Sequence, residues 1–259
     1  MSTIKGLLWK DYRLSRVHIF SMFVGIMLIM IAGFGYSAYM MQPVGTLPVY
    51  IFLSLFMFVY APITMLTLLN IESKNQLWLY SPRKGSTLLL SKYAVIFSSQ
   101  LFIQLILLVY AAISLYFFGK NHYEQMSIGV FIQSISMINL IMVIFAVYFT
   151  SWVTLYWSIY HSLKHLPKLK PFRWLIILAL FIVFNLIETW IQEIPFIDHL
   201  IYLVEVQVFI NAEFSFGQED WFVTFSETAI PIIPLIYYVL LTILLFTIAA
   251  RLLERKVEV

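Results

Sequence analysis

The chain contains no cysteine, which excludes a disulfide framework and a thiolate metal site. Charge is the second scarcity. Only 11% of its 259 residues are Asp, Glu, Lys or Arg, against about 25% in an ordinary soluble domain. So few charges cannot cover a water-facing surface, and no stretch of soluble composition is long enough to form a separate domain. Catalytic signatures are missing too: there is no G-x-S-x-G, H-E-x-x-H or G-x-x-x-x-G-K-[ST]. A soluble enzyme is therefore excluded as the reading.

What is abundant is apolar. Hydrophobic residues make up 62% of the chain, with 23 Phe, 16 Tyr and 7 Trp, an aromatic load suited to lipid-facing and headgroup-level positions. A bilayer core about 30 Å thick is crossed by roughly 20 apolar helical residues. Residues 17–40, 49–70, 93–118, 128–160 and 229–250 are free of Asp, Glu, Lys and Arg, and each is long enough. Residues 174–187 supply a shorter uncharged run ending at Glu188, which extends to residue 191 as a sixth span if the carboxyl group faces the bundle interior. These runs predict an all-α, polytopic membrane protein: one transmembrane domain, residues 1–259, with six helices.

Orientation follows from the cations, which accumulate in short cytoplasmic loops. With six spans and both termini inside, of 16 Lys and Arg only Lys120 falls outside. Acidic residues are skewed the other way: Glu188, Glu193, Asp198, Glu205, Glu213, Glu219, Asp220 and Glu227 run from the end of span five to the start of span six, without Lys or Arg. Residues 194–210 are apolar enough to suggest a seventh crossing. That crossing would put Arg251, Arg255 and Lys256 outside, against the orientation rule. Re-entrant or outer-leaflet helices are the expectation for residues 192–228.

Before the first span, residues 2–16 read as an amphipathic interfacial helix. At 100° per residue Ile4, Leu7, Leu8, Tyr12 and Leu14 share one arc, and Lys5, Lys10, Arg13 and Arg16 the other. Asp11 alone breaks the apolar arc. The helix either anchors the first span or contacts a partner, with Trp9, Lys10, Asp11, Tyr12 and Arg13 as its candidate residues.

Polar residues within spans form stripes: Gln100 and Gln104 on span three; Gln133, Ser136 and Asn139 on span four, followed by Ser151, Thr154 and Ser158. Hydrogen-bonded glue between helices is the first reading, and a translocation path through Gln100, Gln104, Gln133, Ser136 and Asn139 the second. His161 and His165 stand four apart without an evident third ligand, so a solvated pair is preferred to a metal site.

Residues 71–92, IESKNQLWLYSPRKGSTLLLSK, join spans two and three. Glu72 to Tyr80 has room for a short helix, Ser81-Pro82 stops it, and another helix can begin near Gly85. Lys74, Trp78, Arg83 and Lys84 offer charge and an aromatic anchor to a soluble partner; the plainer reading is a loop obeying the positive-inside rule. Arg83 to Thr87 carries phosphate-loop residue types in the wrong order and without a preceding glycine and strand, so ATP is not expected to bind this chain.

Leu8-Trp9-Lys10-Asp11-Tyr12, Glu72 followed by Leu77-Trp78-Leu79 and Ser81-Pro82-Arg83, and Leu90-Ser91-Lys92 before span three together resemble type-2 ATP-binding-cassette (ABC) permeases, the six-helix membrane subunits of bacterial exporters. A bulky outer segment before the last span adds to the likeness, which covers nearly the whole chain through short motifs. The resemblance implies a coupling helix at residues 72–80 docking on a separate ATPase subunit, with Glu72, Lys74, Leu77, Trp78, Tyr80, Arg83 and Lys84 as coupling residues. It further implies a bacterial plasma-membrane location, a second permease subunit, identical or related, and ATP and Mg bound by the partner ATPase. No cofactor is expected in this chain. The subtype most resembled exports amphipathic peptides, including cytolytic modulins, or confers peptide-antibiotic resistance. A membrane assembly or sensor protein that binds a ligand through its acidic outer segment is the alternative; nucleic acid is not an expected partner.

Overall fold

A computed structural model describes residues 3–41, 45–75, 84–118, 128–165, 167–217 and 220–256. In chain order they form α1 (Thr3–Met40), α2 (Thr46–Asn75), α3 (Gly85–Phe118), α4 (Ile128–Ser162), α5 (Arg173–Gln192), α6 (Pro195–Ile201), β1 (Glu205–Gly217), β2 (Asp220–Pro231) and α7 (Ile232–Lys256). Among the described residues six helices, α1 to α5 and α7, are long and apolar enough to cross a membrane. The uncharged runs are the cause: with no water in lipid to pair with backbone amides, a helix is the element that satisfies them within the segment.

The first departure from expectation is α1. No break separates an interfacial helix at residues 2–16 from the first span, because one helix runs from Thr3 to Met40. The sequence has no proline there to turn the chain at Arg16–Val17. At about 1.5 Å per residue α1 is about 57 Å long, well beyond a hydrocarbon core of about 30 Å. Its first turns therefore form a rigid arm continuous with the span.

α2 is the hub. Half of its apolar window is buried, whereas α5 has no buried residue. One apolar cluster, towards the chain termini, joins Met65, Leu68 and Leu69 of α2 to Leu89 and Ile96 of α3, Leu155 and Trp157 of α4, and Ala249 and Leu253 of α7. A second, at the opposite end, packs Leu53 and Met57 of α2 against Ile26 and Met30 of α1, Ile103 and Leu107 of α3, and Met142 of α4. At that opposite end Ser37 Oγ accepts from the backbone N–H groups of Gly45 and Thr46, at 2.9 and 2.8 Å, and so caps the start of α2 from α1.

The second departure is the segment between α5 and α7. Re-entrant or outer-leaflet helices are expected between spans five and six, but among the described residues between α5 and α7 only α6 is an α-helix; β1 and β2 then form an antiparallel hairpin. Its register sets Val206 opposite Ile230, Val208 opposite Thr228, Phe214 opposite Val223 and Phe216 opposite Trp221, with an irregularity between Phe209 and Asn211. The physical reason lies in period-two patterning. On one side of that irregularity Val206 and Val208 flank Gln207, and on the other Ala212, Phe214 and Phe216 alternate with Asn211, Glu213 and Ser215, a period-two pattern that suits strands and not a helix face.

Candidate functional site

At the end of the bundle that holds the chain termini, four charged side chains from three helices meet, three of them out of solvent and Lys10 about one-third exposed. Asp11 of α1 is fully buried, and Glu72 in the last turn of α2 and Lys92 of α3 are each 1% exposed. Lys92 Nζ lies 3.2 Å from Asp11 Oδ1 and 2.8 Å from Glu72 Oε2. Lys10 Nζ closes the circuit, 2.5 Å from Glu72 Oε1 and 3.5 Å from Asp11 Oδ1. The Ser91 hydroxyl donates to Asp11 Oδ2. Both oxygens of each carboxylate are thus engaged, and two ammonium groups balance two carboxylates.

That balance explains Asp11, the one residue that breaks the apolar arc of the N-terminal helix. Burying a charge costs several kcal/mol unless it is paired and hydrogen-bonded. Here pairing and position coincide: Asp11 faces α3 because Lys92 has no water to turn to. Ser15 Oγ, one turn on, donates to the Asp11 carbonyl at 2.9 Å.

The cluster also brackets a connection. Glu72 precedes residues 76–83 and Lys92 follows them, so the ion network ties both flanks of this segment to each other and to the α1 arm. Two neighbouring contacts extend the junction. Trp157 Nε1 of α4 donates to Asn70 Oδ1 of α2 at 2.9 Å. Gly85, at the start of α3, packs so closely on the end of α7 that a Cβ there would meet the Ala250 carbonyl oxygen and Glu254 Cγ at 2.9 Å each.

Not every residue singled out by the sequence is part of this junction. Leu77, Trp78, Tyr80 and Arg83 lie outside the described residues; Glu72 and Lys74 belong to the last turn of α2 rather than to a separate helix, and Lys74 and Lys84 are exposed. Trp9, Tyr12 and Arg13 are exposed on the arm. The rings of Trp9 and Tyr12 stand 5.8 Å apart and border an apolar groove of about 870 Å³ against Ser98, Ser99 and Phe102 of α3.

The five residues of the candidate path are not brought together. Gln100 and Gln104 are buried, Gln100 donating to the Met57 carbonyl of α2 at 3.4 Å. Gln133 and Ser136 are exposed, and the half-buried Asn139 donates to its own helix at Ile135, at 2.8 Å. Ser151, Thr154 and Ser158 likewise bond back to α4, while Tyr93 OH of α3 reaches Ser151 and Thr154 at 3.0 and 3.4 Å. His161 stacks on Trp157 at 3.8 Å between ring centroids. Sequence reasoning missed Lys92 as a site residue. Its signal was a lone cation at the threshold of an uncharged run, far enough into a helix to need an acidic partner.

Fold and site together define a multi-pass helical membrane protein whose termini-bearing end is braced by a charge-neutral buried ion cluster. The chain is similar to YhcE of Bacillus subtilis (strain 168), described only as an uncharacterized protein, with 25% identity over 259 residues and all of both chains covered. No known family profile and no solved structure matches the chain.

Proposed function

We propose that the chain is the membrane-spanning permease subunit of an ATP-driven ABC exporter that moves amphipathic or hydrophobic peptides out of a bacterial cell. One observation carries the reading. The residues of the short motifs behind the resemblance, Lys10-Asp11, Glu72 and Ser91-Lys92, lie far apart in sequence and converge in a single buried network. A motor subunit docked on residues 76–83 would push on a segment whose two flanks are locked to α1, α2 and α3 together, so its stroke would move a rigid unit. The cation-rich ends then face the cytoplasm, in keeping with the positive-inside rule.

In this account hydrolysis belongs to a separate ATPase subunit, and a second permease subunit, identical or related, completes the path between two copies. Gentle isolation of the chain from its native membrane is expected to bring an ATPase with it. Repeated isolation of the folded chain alone would count against the reading. Trp78→Ala is expected to abolish substrate-stimulated ATP hydrolysis in the reconstituted complex while leaving thermal stability unchanged. Undiminished stimulation would remove residues 72–84 as the docking surface.

A further inference from the structure

We propose that Glu188 and the aromatic side chains around it form a binding site for an organic cation, an alkylammonium or quaternary ammonium group, within the membrane half opposite the chain termini. The placement comes first. At about 1.5 Å per residue, Glu188 stands about 22 Å along α5 from Arg173, Tyr148 about 21 Å along α4 from Ser162, and Tyr238 about 20 Å along α7 from Arg251. The three helices thus bring these residues to one depth, well inside the apolar zone.

At that depth an ionisable group needs a partner, and such residues mark ligand or ion sites more often than they serve as scaffolding. Among the described residues Glu188 forms no ion pair, and its buried Oε1 has no hydrogen-bond partner. Its neighbours are rings: Trp152 of α4 packs on Phe184, one turn before Glu188 on α5, so Tyr148, one turn before Trp152 on the antiparallel α4, comes beside Glu188, and Tyr238 of α7 packs on Tyr148. The rings are themselves packed as a wall, Tyr148 on Tyr238 at 5.0 Å and Trp152 on Phe184 at 4.4 Å between centroids.

A lone carboxyl group among aromatic rings matches one chemistry. The carboxylate supplies the counter-charge, and the negative ring faces attract a cation within about 6 Å, most strongly where water is excluded. Access does not require the bundle to open. No residue of α5 is buried, so the site can be reached laterally, along the lightly packed side of that helix.

This inference stands apart from the export reading, since it needs neither ATP nor a partner subunit. The test uses the full chain in zwitterionic nanodiscs, titrated calorimetrically with tetrapropylammonium, with empty nanodiscs subtracted. Saturable binding is expected, weakened at least tenfold by Glu188→Gln and severalfold by Tyr238→Leu, which keeps the carboxyl group and removes one ring. Each variant's thermal unfolding serves as its folding control. Absence of saturable binding to the unsubstituted chain would overturn the proposal. So would affinity unchanged in the folded Glu188→Gln chain or, should that variant not fold, affinity unchanged in Tyr238→Leu.

Discussion

Asp11 shows what one residue can disclose. On an otherwise apolar arc a carboxylate is a defect unless something buried answers it, and Lys92 does so at 3.2 Å. The anomaly was legible in the sequence; the partner was not, because Asp11, Glu72 and Lys92 are brought together only by the packing of three helices. Removing Glu72 or Lys92 leaves a buried partner charged and short of a counter-ion. Glu72→Ala is expected to cost about 3–5 kcal/mol, the usual penalty for stranding a buried charge, seen as a large fall in the unfolding temperature of the detergent-solubilised chain. Replacing two opposed partners together, as in Glu72→Leu with Lys92→Met, should recover much of that loss, since an apolar pair avoids the desolvation cost. A double variant as unstable as the sum of its single variants would mean that the ions are not coupled as their distances indicate.

Glycines test the packing around the same junction from the opposite direction. Gly85→Ala would force a Cβ to 2.9 Å from the Ala250 carbonyl oxygen, and is expected to destabilise by about 1–3 kcal/mol, as overpacking does. Gly6→Ala, with open space where its Cβ would stand, should instead gain up to about 1 kcal/mol from helix propensity. Equal shifts in the unfolding temperature of the two variants would contradict the close approach of α3 to α7.

At the scale of elements, long uncharged runs were the most legible feature, since length and hydropathy alone specify a membrane helix. Local patterning was less visible where two periods compete. The N-terminal arm has its own amphipathic signal, and nothing in that signal says whether the chain turns at Arg16; the unbroken α1 agrees with the lack of proline or glycine around Arg16. In the segment before α7 the apolar content suggested helices, yet the alternation from Asn211 to Phe216 is a strand signal that length and hydropathy do not register. The hairpin can be checked directly in a chain without cysteine. Gln207 and Ala229 stand opposite each other in the register, so Gln207→Cys with Ala229→Cys is expected to form an intramolecular disulfide on mild oxidation, within the Cα separation a disulfide tolerates. Failure to cross-link, with both thiols reactive to a small maleimide, would reject the strand pairing.

For the molecule as a whole, the two zones given proposed roles sit towards opposite ends of a helical bundle. The buried ion cluster braces the end rich in Lys and Arg, and Glu188 with its tyrosines lies towards the other. Neither zone could be assembled from the sequence, because each draws its residues from several helices whose neighbours are set by packing. Composition did disclose which end is basic, and the proposed mechanism depends on that end lying in the cytosol, where a motor could reach residues 72–84. Lys84 is exposed beside the junction, and the absence of native cysteine makes Lys84→Cys a unique label site. A membrane-impermeant maleimide applied to intact cells is expected to leave this thiol unmodified, and to label it fully once the membrane is permeabilised. Labelling from outside intact cells would place the ion cluster on the wrong face for any cytosolic motor and contradict the account.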